Sequence, residues 1–277
     1  MIDFGDTYSA DWFEVRDDTG TLGAAGTVTV VVTLPDASTA SPSPTTPETG
    51  RYTFDLTTTQ AGRHTFVVSA TGGILGSATR KWSDSFDVRP ADPGFIVSLA
   101  DVKTHLGKTS STDNEELRGF MEAATRVVED DPLVGVGPVV VRSFTERHVS
   151  GRCLVLHRSP VVSLTSVVPW LTSGTTYAVG DLVVDPTTGI VERKNGGAFT
   201  GGPFAVTYRA GRVVVPSNVR LAALDMIRHW WESSQRGSVG RPGLVADPNV
   251  ITLPSGYVIP ASAAQLLAAD RRAPGVA

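Results

Sequence analysis

The sequence predicts a multidomain protein, with an all-β sandwich followed by an α+β domain of helices and inserted strands. Short β-branched and aromatic runs separated by turns fill the first part of the chain, and no helical period interrupts them. Helical periods and strand patterns occur together only after the segment Arg89-Pro-Ala-Asp-Pro-Gly94, whose prolines and glycine interrupt helix and sheet alike. We therefore place the two domains at residues 1–90 and 91–277.

Composition narrows the class of protein. The chain of 277 residues is 41% hydrophobic and carries a formal net charge of -4, which argues against a general nucleic-acid binder. Its longest apolar run is far shorter than the roughly 20 residues that a membrane span needs, and the acidic start does not resemble a signal peptide. We expect a soluble protein made in the cytoplasm. The single cysteine, Cys153, excludes an intramolecular disulfide.

The first domain contains several runs with the alternation of half-buried strands. Val28 to Leu34 is β-branched and ends at a proline, and the runs Arg51 to Leu56 and Arg63 to Ser69 alternate on either side of an Ala-Gly turn. Trp82 to Phe86 supplies a last strand. Residues 35–47 are rich in Ser, Thr and Pro, and because strands continue on both sides we interpret them as a loop within the sandwich.

Two of these strands begin with related patterns, Gly-x-Tyr-x-Phe at Gly50 and Gly-x-His-x-Phe-x-Val at Gly62. The patterns resemble immunoglobulin-like modules attached to bacterial surface and phage structural proteins. The aromatic residues Trp12, Tyr52 and Trp82 allow two interpretations, a sugar-binding surface or the core of the sandwich. We favour the core, since large aromatic side chains dominate small cores.

Two helices are predicted at the start of the second domain. Ser98 is placed to cap a helix that ends at Leu106, with Asp101 at the positive end of its dipole. A second helix begins near residues 112–114 and ends before Pro132. We interpret its acidic end, Glu129 to Asp131, as solvated rather than as a cation site. One apolar stripe follows its helical period: Leu117, Phe120, Met121, Ala124 and Val128.

Strand patterns and a long helix complete the second domain. The predicted strands are Val139 to Phe144, Cys153 to His157, Ser163 to Val168, Asp181 to Val184, Gly189 to Arg193 and Phe204 to Tyr208. Pro216 then begins a helix that extends to about residue 233 and is apolar around most of its circumference. Such a helix must be covered on several sides, by its own domain or by neighbouring copies, and we expect copies to contribute through a ring-packing set: Leu221, Leu224, Ile227, Trp230 and Trp231.

The order of these parts over residues 97–277 resembles the head-to-tail connector, or adaptor, proteins of long-tailed bacteriophages. The matching pieces are Ser98-Leu-Ala-Asp-Val-Lys-Thr-His-Leu106, the acidic helix Asp113 to Glu129, Ser159-Pro-Val-Val-Ser-Leu-Thr-Ser-Val167, Tyr177 before Gly189-Ile-Val191, Val206-Thr-Tyr-Arg-Ala-Gly211, Val215-Pro216, and a terminal Leu-Leu helix with paired arginines. The sandwich and a Gly- and Pro-rich arm from Arg236 to Pro260 depart from that pattern.

The resemblance implies a structural protein of the virion neck, not an enzyme. Members of the family form a homo-oligomeric ring, commonly twelve-fold, that binds the portal protein and a further neck or tail-completion protein. DNA passes through the lumen without sequence recognition, and no membrane is involved. The C-terminal arm, about residues 236–277, is implied to dock on the portal through Leu266, Leu267, Arg271 and Arg272. The alternative function is a surface glycan-binding module carried on a virion anchor domain.

Candidate metal and catalytic residues are few. On a regular strand Cys153 and His157 share one face while His148 lies on the other, and no second cysteine or clustered carboxylate completes a ligand set. We therefore expect no metal site and no cofactor. A Cys153 nucleophile with His157 as its base lacks an orienting acid and an oxyanion site, so we expect no catalytic residues.

Overall fold

The computed structural model describes residues 1–92, 94–236 and 258–271. The chain forms two compact units, the first ending at Pro93 and the second beginning at Gly94. Both units are rich in β-sheet, and the described helices of regular α type all lie in the second. The protein is thus multidomain, largely sheet, with a few helices.

The first unit is an antiparallel sandwich in which only one strand pair is parallel. Its largest sheet has the strand order β1-β10-β9-β4-β5, with β1 parallel to β10, while β3-β7-β6 and β2-β8 form smaller sheets. The strands are β1 (Ile2–Asp3), β2 (Thr7–Ser9), β3 (Phe13–Glu14), β4 (Thr27–Thr33), β5 (Thr39–Ala40), β6 (Thr45–Glu48), β7 (Arg51–Thr53), β8 (Asp55–Thr57), β9 (Gly62–Thr71) and β10 (Thr79–Arg89).

Aromatic side chains fill the core of this unit. Phe54 and Phe66 are buried with ring centroids 5.1 Å apart, and Tyr8 stacks on Phe86 at 3.7 Å. Alternate residues of β9 point into this core, which explains why its sequence alternates. The period of two therefore predicted the long strands correctly.

The shorter strands differ from the prediction. Residues 35–47, interpreted as a loop, contain β5 and all of β6 except Glu48. The run Arg51 to Leu56, predicted as one strand, is divided between β7 and β8, because its two halves pair with different partners, β3 and β2. Two-residue strands such as β3 are too short to give a periodic signal.

The second unit consists of helices and two three-stranded antiparallel sheets, ordered β11-β16-β13 and β12-β15-β14. Its strands are β11 (Arg142–His148), β12 (Leu154–Val155), β13 (Val161–Pro169), β14 (Leu182–Val184), β15 (Ile190–Arg193) and β16 (Phe204–Ala210). Its helices are α1 (Leu99–Leu106), α2 (Asn114–Asp130), α3 (Ser217–Arg236) and α4 (Ala261–Leu267). None of the helices in the described ranges is both long and apolar enough to cross a bilayer.

The helices α1 and α2 match the sequence prediction closely. The Ser98 hydroxyl accepts the Asp101 backbone N–H at 3.1 Å, so Ser98 caps α1, and Gly107 ends the helix in the left-handed conformation. In α2 the predicted stripe faces the core: Leu117, Met121, Ala124 and Val128 are buried, and Phe120 is partly buried against them.

Strand β11 begins later than predicted, at Arg142 instead of Val139. The backbone N–H groups of Val139 and Val140 both donate to the Glu129 carboxylate at 2.9 Å, so neither is available for a strand ladder. The same segment also packs against Gly211, which follows β16 and must be a glycine, because a Cβ there, at φ 138°, would lie 2.6 Å from the Val141 Cα. The prediction of Cys153 to His157 as a strand holds only for Leu154–Val155.

Candidate functional site

The four helices share one hydrophobic core, which changes the interpretation of α3. Of the ring-packing set, Leu224, Ile227, Trp230 and Trp231 are buried in that core and only Leu221 is exposed, at 51%. The expectation that these side chains await a neighbouring copy is therefore wrong for four of the five. Helices α1, α2 and α4 of the same chain cover them, which a helical period cannot reveal.

The residues predicted to dock on the portal lie in and after α4. Leu267 is fully buried in the helical core, and Leu266 is partly buried against it. Both leucines thus anchor α4 to its own chain instead of lying free for a partner. Arg271 is exposed, whereas Arg272 and most of the predicted arm lie outside the described residues.

Polar contacts fix the C-terminal end of α4 beside the start of α3. The Asn218 amide donates to the Leu266 carbonyl at 2.9 Å and to the Asp270 carboxylate at 2.7 Å. Arg212 forms an ion pair with the same carboxylate at 2.5 Å. The hydrogen bonds from Asn218 and Arg212 hold the pKa of Asp270 below its usual value.

Among the exposed apolar surfaces in the described part of the second unit, two flank the helices α2 and α3. The first is a groove of about 590 Å³ between α2 and α3, which we call the α2–α3 groove; it is lined by Glu116, Gly119, Phe120, Ala123, Val127 and Trp230. The second is the segment before α3, where Val213 and Val214 are 83% and 77% exposed. Val214 precedes α3 and Trp230 lies in its C-terminal half, so at 1.5 Å per residue roughly 20 Å of helix lies between these two residues.

The prediction that the acidic end of α2 is solvated is wrong for Glu129, whereas Asp130 is exposed. Glu129 is only 5% exposed, and besides the two backbone N–H groups it pairs with the Arg142 guanidinium. Asp130 pairs with Arg158, and Asp131 accepts the Leu133 backbone N–H at 2.7 Å. Groups of the protein itself therefore satisfy these carboxylates, and Glu129 joins α2 to β11.

Titratable side chains converge where β11 ends. Glu146 Oε2 lies 3.2 Å from His148 Nε2 and 2.8 Å from His157 Nδ1, and the two imidazole rings stack with centroids 5.7 Å apart. Within the described ranges this is the one group of three or more His, Cys, Asp or Glu residues whose ligand atoms come this close, all within 4.8 Å of one another. We call Glu146, His148 and His157 the β11 cluster.

Hydrogen bonds orient the carboxylate of the β11 cluster. Glu146 Oε1 accepts the Tyr208 hydroxyl, which in turn accepts the Arg158 backbone N–H at 3.1 Å. Oε2 accepts the His157 backbone N–H, also at 3.1 Å. Tyr208 is fully buried on β16, so its ring fixes the position of the carboxylate.

Burial and these hydrogen bonds shift the pKa values of Glu146, His148 and Tyr208. Burial alone would raise the pKa of Glu146, but the hydrogen bonds from Tyr208 and His157 outweigh it and hold the pKa below its usual value. Burial lowers the pKa of His148, although Glu146 acts in the opposite direction. Burial and the Glu146 hydrogen bond raise the pKa of Tyr208. Glu146 is thus held as an anion beside a neutral imidazole near pH 7.

The sequence indicates two residues of this cluster, His148 and His157, but not Glu146. A regular strand would place the two histidines on opposite faces, with no carboxylate beside them. The structure places them on different segments, His148 at the end of β11 and His157 beyond β12, and brings them together around Glu146. The spacing of Glu146 and His148 was the available signal, since residues i and i+2 of a strand share a face. Cys153 is not part of the cluster.

In the first unit, two of the three candidate aromatic residues belong to the interior. Tyr52 is buried, and Trp82 packs partly buried against the sandwich core. Trp12 is 52% exposed, with the Arg51 guanidinium 5.0 Å from its ring centroid. The expectation that all three fill the core is therefore wrong for Trp12.

Comparison with known proteins finds limited similarity. No protein-family model and no curated protein matches the chain. The crystal structure of the Lin-41 filamin domain is similar at 20% identity and a TM-score of 0.25, covering 32% of this chain and 81% of that domain. A DUF4785 family protein from Legionella pneumophila is similar at 10% identity and a TM-score of 0.28. That alignment covers 78% of this chain but less than half, 46%, of the Legionella protein. Neither similarity supports an assignment of function.

Proposed function

We propose that the protein is a structural component of the bacteriophage neck: an adaptor that forms a closed homo-oligomeric ring, joins the portal to the tail and continues the DNA channel. The observation that carries the proposal is the pair of unlike apolar surfaces on the second unit, the α2–α3 groove and the Val213-Val214 segment. A closed ring needs two unlike faces on each protomer, because its contacts run head to tail.

The order of helices and strands in the second unit supports the same function. Among the described residues, two α-helices precede six strands and two further α-helices follow them, in the order that suggested the resemblance to connector proteins. In this proposal the buried residues of α3 stabilise the protomer, and the ring contact uses the α2–α3 groove and the Val213-Val214 segment. The first unit is an immunoglobulin-like domain carried by the ring-forming unit.

The portal contact is proposed at the exposed end of α4. Arg271 is exposed there, while Leu266 and Leu267 hold the helix against α3. Arginine suits a contact with acidic groups of a partner, since its guanidinium donates in a fixed fork. Arg271, not the two leucines, is therefore the described residue proposed to contact the portal.

The ring can be tested with a charge placed in the α2–α3 groove. Ala123 is an exposed residue of α2, so Ala123→Arg preserves the helix and puts a cation into the apolar surface. Negative-stain images and native mass spectrometry with the portal protein are expected to show rings for the unchanged chain and monomers for this variant. Ala100→Arg, at an exposed position of α1, is the matched control and should still form rings. An unchanged chain that stays monomeric and does not bind the portal would contradict the proposal.

A further inference from the structure

The β11 cluster has the composition of a transition-metal site. Two imidazoles and one carboxylate are the donors that Zn²⁺ takes in sites with three protein ligands and an open position. The all-oxygen surroundings that Ca²⁺ and Mg²⁺ prefer are absent from this cluster, and so is a thiolate. The donor set therefore suits a divalent ion of intermediate softness, such as Zn²⁺ or Co²⁺.

The spacing of the donor atoms also suits such an ion. Tetrahedral Zn²⁺ with bonds of about 2.0–2.1 Å holds its ligand atoms roughly 3.3 Å apart. Glu146 Oε2 already lies 3.2 Å from His148 Nε2 and 2.8 Å from His157 Nδ1. The His157 side chain is 76% exposed, so its ring can move by the small distance that completes the triangle.

The surroundings supply the outer contacts that metal ligands need. The Tyr208 hydroxyl donates a hydrogen bond to Glu146 Oε1, and Oε2 faces the two imidazoles. Outer hydrogen bonds of this kind fix the orientation of a ligand and raise metal affinity. His148 is only 9% exposed, which limits the rotation of its ring, while the exposed His157 side leaves room for a water or a further ligand.

We propose that Glu146, His148 and His157 bind one Zn²⁺ ion, with Glu146 Oε2, His148 Nε2 and His157 Nδ1 as its protein ligands. The ion links β11, which belongs to the β11-β16-β13 sheet, to the segment after β12, which belongs to the β12-β15-β14 sheet. Its role is to hold together the two sheets of the second unit. When the ion binds, it replaces the protons on His148 Nε2 and His157 Nδ1 that otherwise form hydrogen bonds with the Glu146 carboxylate.

Titration of the untagged, full-length, chelator-treated protein with Zn²⁺ tests this directly by calorimetry. Co²⁺ serves as a second probe, because its visible absorption reports tetrahedral coordination. We expect one ion per chain, and a loss of affinity of at least about a hundredfold in His157→Ala, since removal of an outer contact alone costs 10–100-fold. Tyr208→Phe is expected to weaken binding about tenfold. Mg²⁺ should not bind.

Two controls keep the test independent of folding. His157 is exposed, so His157→Ala should retain the circular dichroism spectrum of the unchanged chain. His105→Ala removes an exposed histidine of α1 and should bind Zn²⁺ normally. Zn²⁺ should raise the unfolding temperature of the unchanged chain and of His105→Ala but not of His157→Ala. Absence of binding to the unchanged chain, or equal affinity in His157→Ala, overturns the proposal.

Discussion

Glu129, in the last turn of α2, is buried and forms an ion pair with Arg142, the first residue of β11, whose side chain is 37% exposed. The same carboxylate accepts the backbone N–H groups of Val139 and Val140. One side chain therefore satisfies three donors and connects the helical core to the first strand of the second unit. An anion this well buried is stable only while its donors stay in place.

Glu129→Gln should destabilise the protein by about 2–4 kcal/mol, because it removes the charge that pairs with Arg142 and weakens the acceptor for the two backbone groups. Urea unfolding measures this loss. Glu115→Gln, at an exposed ion pair near the other end of α2, is the control and should cost less than about 1 kcal/mol. If both variants lost the same free energy of unfolding, burial of Glu129 would make no measurable contribution to stability.

Leu267→Ala should lower the free energy of unfolding by about 2–5 kcal/mol, since it leaves a cavity where α4 meets the helical core. Leu266→Ala should cost less, because that side chain is only partly buried. Native-state hydrogen exchange locates the effect: amides of α4 should lose protection in Leu267→Ala. Unchanged protection in that variant would contradict the anchoring role given to Leu267.

The stabilising contribution of Asp270 should depend on pH. Its pKa in the folded chain is lowered by Asn218 and Arg212, whereas an unfolded aspartate titrates near pH ~3.9. The contribution is therefore present above about pH 4 and is lost as the pH falls through the lower, folded value. The difference in unfolding free energy between the unchanged chain and Asp270→Asn should therefore shrink as the pH falls below about 4. Urea unfolding at several pH values measures it, and a difference independent of pH would refute the assignment.

A chain of residues 91–277 should fold without the first unit. The second unit has two hydrophobic cores of its own, one among the helices and one among the strands. We expect a soluble protein whose circular dichroism shows the helices, and which still forms rings with the portal protein. Insolubility of this truncated chain would place the boundary between the units elsewhere.

The sequence predicts best what neighbouring residues determine. The Ser98 cap and the α2 stripe follow from side chains within one or two helical turns of each other, and both are found as predicted. The burial of α3 could not be predicted in this way, because the period shows that a face is apolar but not what covers it. What covers α3 includes α4, a helix from a distant part of the sequence.

The candidate metal site was missed for a related reason. His157 lies 11 residues from Glu146, and Tyr208, which orients the same carboxylate, lies 62 residues away. Treating Cys153 to His157 as one regular strand assigned His157 to the wrong face. The strand is only two residues long, and the chain beyond Val155 leaves the ladder. Contacts of this range depend on the pairing of strands, which alternation alone does not specify.

Strand β16 is the middle strand of its sheet, paired along its length with β11 on one side and β13 on the other, and the chain continues from it into α3. Tension applied along the axis of β16 therefore loads two hydrogen-bond ladders at once, in shear. Because many bonds must break together under that loading, we expect this strand to resist extension in that direction rather than to unzip bond by bond.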